Sequence, residues 1–236
     1  MASRQQLVIS QRFGKSGNNY NMSKCASATS IISGSDGPTS VAIIKRNAKL
    51  TFKQRFQKTL YNIKRAYVEK TIKADAHTLD EVMEYIVMKY GFVEIHSDEV
   101  NLEYNEMRAS FLMQYALELL GEYATMPRLK SESREDIEAH IAQFRERQQM
   151  AMNIPVSEFD IDFHKFELLS DDRNDNMNII IEKRFAYIGG GASGSKQVIR
   201  KFNRIFKEVY RYYGVTKEDI ENKSKRYEEV VRTLAR

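Results

Sequence analysis

The chain has 236 residues, of which 42% are hydrophobic and 29% charged, with a net charge of +5. That composition suffices for a buried core, and with no apolar run near the ~18 residues of a spanning helix it excludes a helical membrane protein. A single cysteine, Cys25, excludes an internal disulfide and a cysteine-rich zinc site and fits a reducing cytoplasm.

The charge is unevenly spread. Residues 1–75 carry 14 Lys and Arg against 3 acids, which leaves 23 against 29 for the remainder. A basic front on a mildly acidic body points to an anionic partner for the front, or to docking of the front on the body. The opening MASRQQLVISQRFG lacks the apolar core of a secretory leader, so a cytoplasmic location is the expectation.

Residues 1–29 are rich in Gly, Ser, Asn and Gln and read as a flexible basic arm. Ser30–Ile44, SIISGSDGPTSVAII, sets two β-branched apolar runs around a turn of Ser35, Asp36, Gly37, Pro38, Thr39 and Ser40. Asp36 can accept backbone N–H bonds there, and Gly37 can supply a positive φ. From Lys45 to Lys73 an amphipathic helix is predicted, with Phe52, Phe56, Leu60, Ile63 and Tyr67 on one stripe. Thr71–Ala74 has the composition of a short strand. Thr78 and Glu81 form a capping box opening a helix that stops at Gly91, and Phe92–His96 alternates as a strand.

Residues 99–121 predict a further helix, and Ser131 or Ser133 caps the charged helix REDIEAHIAQFRERQQM. Phe159–Leu168 and Met177–Ile188 read as two strands around a polar turn. The glycine run from Gly189 then breaks the strand, and Lys196–Tyr213 is a helix stopped by Gly214. Thr216 caps one closing helix. The expectation is an α+β fold, with a mostly antiparallel sheet and helices on one face. It divides into an arm over 1–50 and a single domain over 51–236.

Two places carry candidate chemistry. In IGGGASGSK, a glycine-rich turn before a helix would offer backbone N–H groups to a phosphate. Its residues are Gly189, Gly190, Gly191, Ser193, Gly194, Ser195, Lys196 and Arg200. The spacing is not that of a nucleotide-binding loop, so a plain connector competes with the anion cradle. The second place is a basic surface of Lys45, Arg46, Lys49, Lys53, Arg55, Lys58, Lys64 and Arg65. Its interleaved aromatics would stack on bases while its cations neutralise phosphates. The competing arrangement turns the same aromatics into the core and leaves the lysines solvated. The four histidines lack metal-ligand spacing, so no metal or cofactor is expected. Asp160, Asp162 and His164 alternate on one strand face, best read as its solvent side.

The DGPTS segment Asp36, Gly37, Pro38, Thr39 and Ser40 is similar to the (G/A)DGPT(S/A) signature of the β subunit of sodium-translocating decarboxylases. In that family the motif contributes to ion translocation within a membrane protein. The rest of this chain lacks the spans such a pump needs, so transport does not carry over. Over most of its length the chain resembles a group of small soluble proteins of clostridial-type bacteria. That resemblance rests on HTLDEVMEYIVMKYG, IPVSEFDIDFH and YRYYGVTKEDIENK, and it implies no activity. The functional expectation is a non-enzymatic binding or regulatory protein whose basic N-terminal region engages nucleic acid, a phosphorylated ligand or an acidic protein surface. The alternatives are an enzyme acting on a phosphorylated small molecule through the glycine run, and an assembly subunit whose arm orders in a homo-oligomer.

Overall fold

The computed structural model describes residues 28–33, 52–96, 98–125, 131, 133–168 and 175–236. These form two units, Met1–Ile95 with His164–Arg236 and, inserted between them, His96–Phe163. The sequence reads 51–236 as one body.

In chain order the elements are β1 (Ala28–Ser33), α1 (Phe52–Thr71), α2 (Leu79–Tyr90), β2 (Val93–Glu94) and α3 (Asp98–Tyr115). A 3-10 helix (Leu117–Ala124) and α4 (Arg134–Asn153) follow. The chain continues through β3 (Phe163–Leu168), β4 (Asn176–Glu182), β5 (Tyr187–Gly194), α5 (Lys196–Tyr213), α6 (Lys217–Asn222) and α7 (Lys225–Ala235). The sheet order is β1-β5-β4-β3-β2, and β1 with β5, β4 with β5 and β2 with β3 run antiparallel. The α+β expectation holds. Strand β1 covers the end of the segment read as an arm, while the DGPTS turn lies outside the described residues.

The first unit is built on β4 and α5. Met177, Ile179 and Ile181 alternate onto the buried face of β4, where they join Phe202, Ile205, Phe206 and Val209 of α5. Helices α2 and α7 complete this core with Val82, Ile86, Val230 and Val231. Gly190 makes the contact close, since a Cβ there would lie 2.5 Å from the Asn178 carbonyl oxygen and 3.1 Å from the Phe202 ring.

Local chemistry places several boundaries as expected. Thr78 accepts the Glu81 N–H while the Glu81 carboxylate accepts the Thr78 N–H, and Gly91 ends α2 in the left-handed conformation. Ser133 caps α4, and Thr216 with Asp219 caps α6.

Five local readings are corrected. Met177–Ile188 is two strands, because the Glu182 carboxylate accepts the N–H groups of Arg184 and Phe185 and folds a turn over 183–186. The glycine run is the body of β5, paired on one side with β1 and on the other with β4. Residues 72–78 form no strand. The alternation from Phe159 becomes strand only at Phe163. The closing helix is two, broken at Lys223 (φ 47) and restarted by the Ser224 cap.

The second unit packs α3, the 3-10 helix and α4 around Ala109, Phe111, Leu112, Leu120 and Ala151. Helix α3 ends at Tyr115 rather than 121, and Gly121 (φ 54) sits within the 3-10 segment. Arg108 is buried here, its guanidinium donating to the carbonyls of Phe159 (3.0 Å) and Met152 (2.9 Å). The Tyr104 hydroxyl donates to Asp160 at 2.5 Å, and burial first, then that bond, push its pKa up to about 12.

Candidate functional site

Helix α1 carries six cations, Lys53, Arg55, Lys58, Lys64, Arg65 and Lys70, against the single acid Glu69. At roughly 100° per residue its apolar stripe and the group Tyr61, Arg65 and Val68 fall on opposite faces. The structure docks the second face. Tyr61, Arg65 and Val68 are half-buried, and Arg65 donates to Glu69 and to Glu228 of α7, both at 2.7 Å. These bonds, Glu69 first, raise the Arg65 pKa and hold its guanidinium charged.

The predicted core stripe therefore points outward. Phe52 is 86% exposed, Phe56 57%, Leu60 41%, Ile63 61% and Tyr67 68%. Lys53, Arg55, Lys58 and Lys64 are exposed on the same helix, whereas Arg65 is committed to its ion pairs. Lys45, Arg46 and Lys49 lie outside the described residues. What results is an aromatic and aliphatic ridge flanked by exposed cations, of which Lys64 also donates to the Arg236 carbonyl at 3.4 Å. Such a ridge can stack on planar groups and attract phosphates.

The glycine run forms no cradle. Gly189, Gly190, Gly191, Ser193 and Gly194 lie in the β1-β5-β4 ladder, and the Gly191 N–H donates to the Asn178 side chain at 3.0 Å. At the start of α5, Ser195 accepts the Val198 N–H, and the Asp175 carboxylate accepts the Ser195 N–H at 3.3 Å. A resident carboxylate thus stands where an anion would sit. Lys196 and Arg200 are exposed on the first turns of α5.

Sequence reasoning missed a cation cluster formed by Lys64 with Lys207 and Arg211 of α5. Burial first, then Lys64 and Arg211, lower the Lys207 pKa. The i, i+4 spacing of Lys207 and Arg211 was the available signal, but nothing local joins them to α1. Also missed was a stack in which Tyr212 lies between His77 and Tyr85, with ring centroids 3.9 and 4.0 Å apart. Because His77 Nδ1 meets the Tyr212 carbonyl at 2.6 Å, that nitrogen carries the proton. His164 pairs with Glu94 across β3 and β2 at 2.7 Å. Among the described residues no group of three His, Cys, Asp or Glu is arranged to hold a metal ion. No helix among them is long and apolar enough to cross a membrane.

Compared with protein-family models, with curated proteins and with solved structures, the chain has no significant match in any of the three.

Proposed function

We propose that this chain is a non-enzymatic binding protein that engages single-stranded nucleic acid through α1. The observation that carries the reading is the outward stripe of Phe52, Phe56 and Tyr67 on a helix with six cations and one acid. Aromatic faces bind bases of any sequence, and flanking cations neutralise the phosphates between them. The strongly basic residues 1–51, with seven Lys and Arg against Asp36, add to the same electrostatic footprint. The single cysteine supports a reducing, cytoplasmic setting.

The test is fluorescence anisotropy of labelled single-stranded RNA and DNA with the full chain, across a salt series. The expected result is binding that falls steeply between about 50 and 200 mM salt. Phe52→Ala and Phe56→Ala each weaken it, by about 1–3 kcal/mol for every base unstacked. Absence of binding at low salt, or full binding by the Phe52→Ala/Phe56→Ala variant, would overturn the reading. Growth of mass with protein concentration, abolished by the same double variant, would assign the stripe to self-association instead.

A further inference from the structure

A groove of about 650 Å³ lies beside the C-terminal half of α1, within the size range of small-molecule sites (~300–1,000 Å³). Its floor is apolar. Val68 and Ile72 face it from α1 and the residue that follows, Val230 and Leu234 from α7.

The far end of the groove is fixed by the backbone. Gly214 has a φ of 58°, and a Cβ there would stand 1.7 Å from the Asp75 carbonyl oxygen. That contact clamps residues 72–77 along the end of α5, where the Asp75 N–H donates to Val215 and the His77 N–H to Tyr213, each at 3.0 Å.

Its mouth is cationic. Lys64, Lys73 and Arg211 line it against one acid, Asp75. Lys207, a turn before Arg211, adds a half-buried ammonium whose pKa is lowered by burial, then by Lys64 and Arg211. The other neighbouring carboxylate, Glu208, is already taken by the Tyr90 hydroxyl at 2.6 Å and Lys89 at 3.2 Å. Lys64 also donates to the Arg236 carbonyl at 3.4 Å, and the edge still holds more cations than acids. An apolar floor with that excess of positive charge selects a ligand that joins an apolar tail to an anionic head.

We propose that this groove binds the free, monomeric form of a single-chain amphiphile with an anionic head, a long-chain carboxylate. Its tail lies over Val230 and Leu234, and its head sits among Lys64, Lys73 and Arg211. The groove shares Ile63, Lys64 and Tyr67 with the exposed stripe of α1, but Phe52 and Phe56 are not among its walls, so substitutions at those two positions test the nucleic-acid reading alone.

The experiment is isothermal titration of the full chain with dodecanoate held below its micellar concentration. Dodecyltrimethylammonium, acetate and phosphatidylglycerol vesicles are the comparison arms. The expected result is saturable, one-to-one dodecanoate binding, at least about tenfold tighter than that of the cationic amphiphile, with no acetate binding. Lys73→Gln combined with Arg211→Gln, both at the rim, weakens dodecanoate about tenfold. Leu234→Trp fills the floor and removes binding; should that variant not fold, the rim variant decides alone. Equal binding of both amphiphiles, unchanged affinity in the rim variant, or vesicle binding without binding of the monomer would each overturn the proposal. The nucleic-acid reading fails separately, through Phe52→Ala and Phe56→Ala.

Discussion

Helices α1 and α5 have the same kind of sequence and opposite fates. Each runs 18–20 residues with large apolar side chains at helical spacing and cations on the remaining surface. Helix α5 buries Phe202, Ile205, Phe206, Val209, Tyr210 and Tyr213, whereas α1 buries none of its residues. The difference lies in what each helix meets. The α5 stripe lands on the apolar face of β4, over a glycine that lets the Phe202 ring approach the backbone. Helix α1 turns its Arg65 side toward α7, where Glu228 stands ready as an ion-pair partner, and its stripe is left outside. Amphipathicity thus fixes that a helix has an apolar face, but not that the fold covers it. Five large apolar side chains left exposed along one helix are the feature on which the proposed binding role rests.

The sharpest way to break this contrast is a matched pair of truncations. Phe206→Ala removes a side chain with no exposed area and is expected to cost about 3–5 kcal/mol. Phe56→Ala removes the same atoms from a surface 57% exposed and should change stability by no more than about 0.5 kcal/mol. Chemical denaturation of both variants checks this. Comparable losses would mean that the α1 stripe is covered in solution.

Helix α7 touches both helices and offers a second, pH-dependent probe. Its consecutive residues Glu228 and Glu229 face different neighbours. Glu228 reaches Arg65 of α1, while Glu229 is buried, near Tyr210 and Tyr213 of α5. Burial raises the Glu229 pKa above its ordinary 4.5, against the pull of Lys225 and Arg232. With a raised native pKa the folded state holds the proton longer than the unfolded chain. The associated stability is therefore full below about pH 4.5 and lost as pH rises through the native value. Glu229→Gln removes that dependence. Relative to this variant the parent protein should lose stability with rising pH across that window, measured by denaturant midpoints at several pH values. A parallel pH profile for the two proteins would place Glu229 in solvent.

Where the chain's own local chemistry decides, the sequence was readable. The Thr78–Glu81 and Thr216–Asp219 boxes and the Gly91 stop are short-range hydrogen-bonding arrangements, and each marks its boundary without help from the rest of the fold. The β4–β5 turn was hidden because it contains no Gly, Pro or Asn and is made by the Glu182 side chain accepting two N–H groups. The glycines of β5 gave a loop signal because their use, close passage between two strands and under a phenyl ring, is tertiary. The candidate interface was half legible. Its residues and periodicity stood in the sequence, but its exposure depends on α7, some 160 positions away. The Lys64–Lys207–Arg211 cluster depends on the same long-range docking, so no local pattern announces it.

The smallest effect concerns the contact that orients α1. Arg65 and Glu228 meet at 2.7 Å, but their side chains remain 33% and 43% exposed. Water screens such a pair, so its coupling in a double-mutant cycle of Arg65→Ala and Glu228→Ala is expected at about 0.2–1 kcal/mol. Raising salt to about 1 M, where the screening length falls to about 3 Å, should remove most of it. Because Arg65 also bonds Glu69 within α1, Arg65→Ala should cost more than Glu228→Ala, the excess reporting helix stability rather than docking. A coupling well above 1 kcal/mol that survives salt would instead show a desolvated pair. Helix α1 would then be pinned to the body as firmly as α5, and the contrast between them would narrow to which face was chosen.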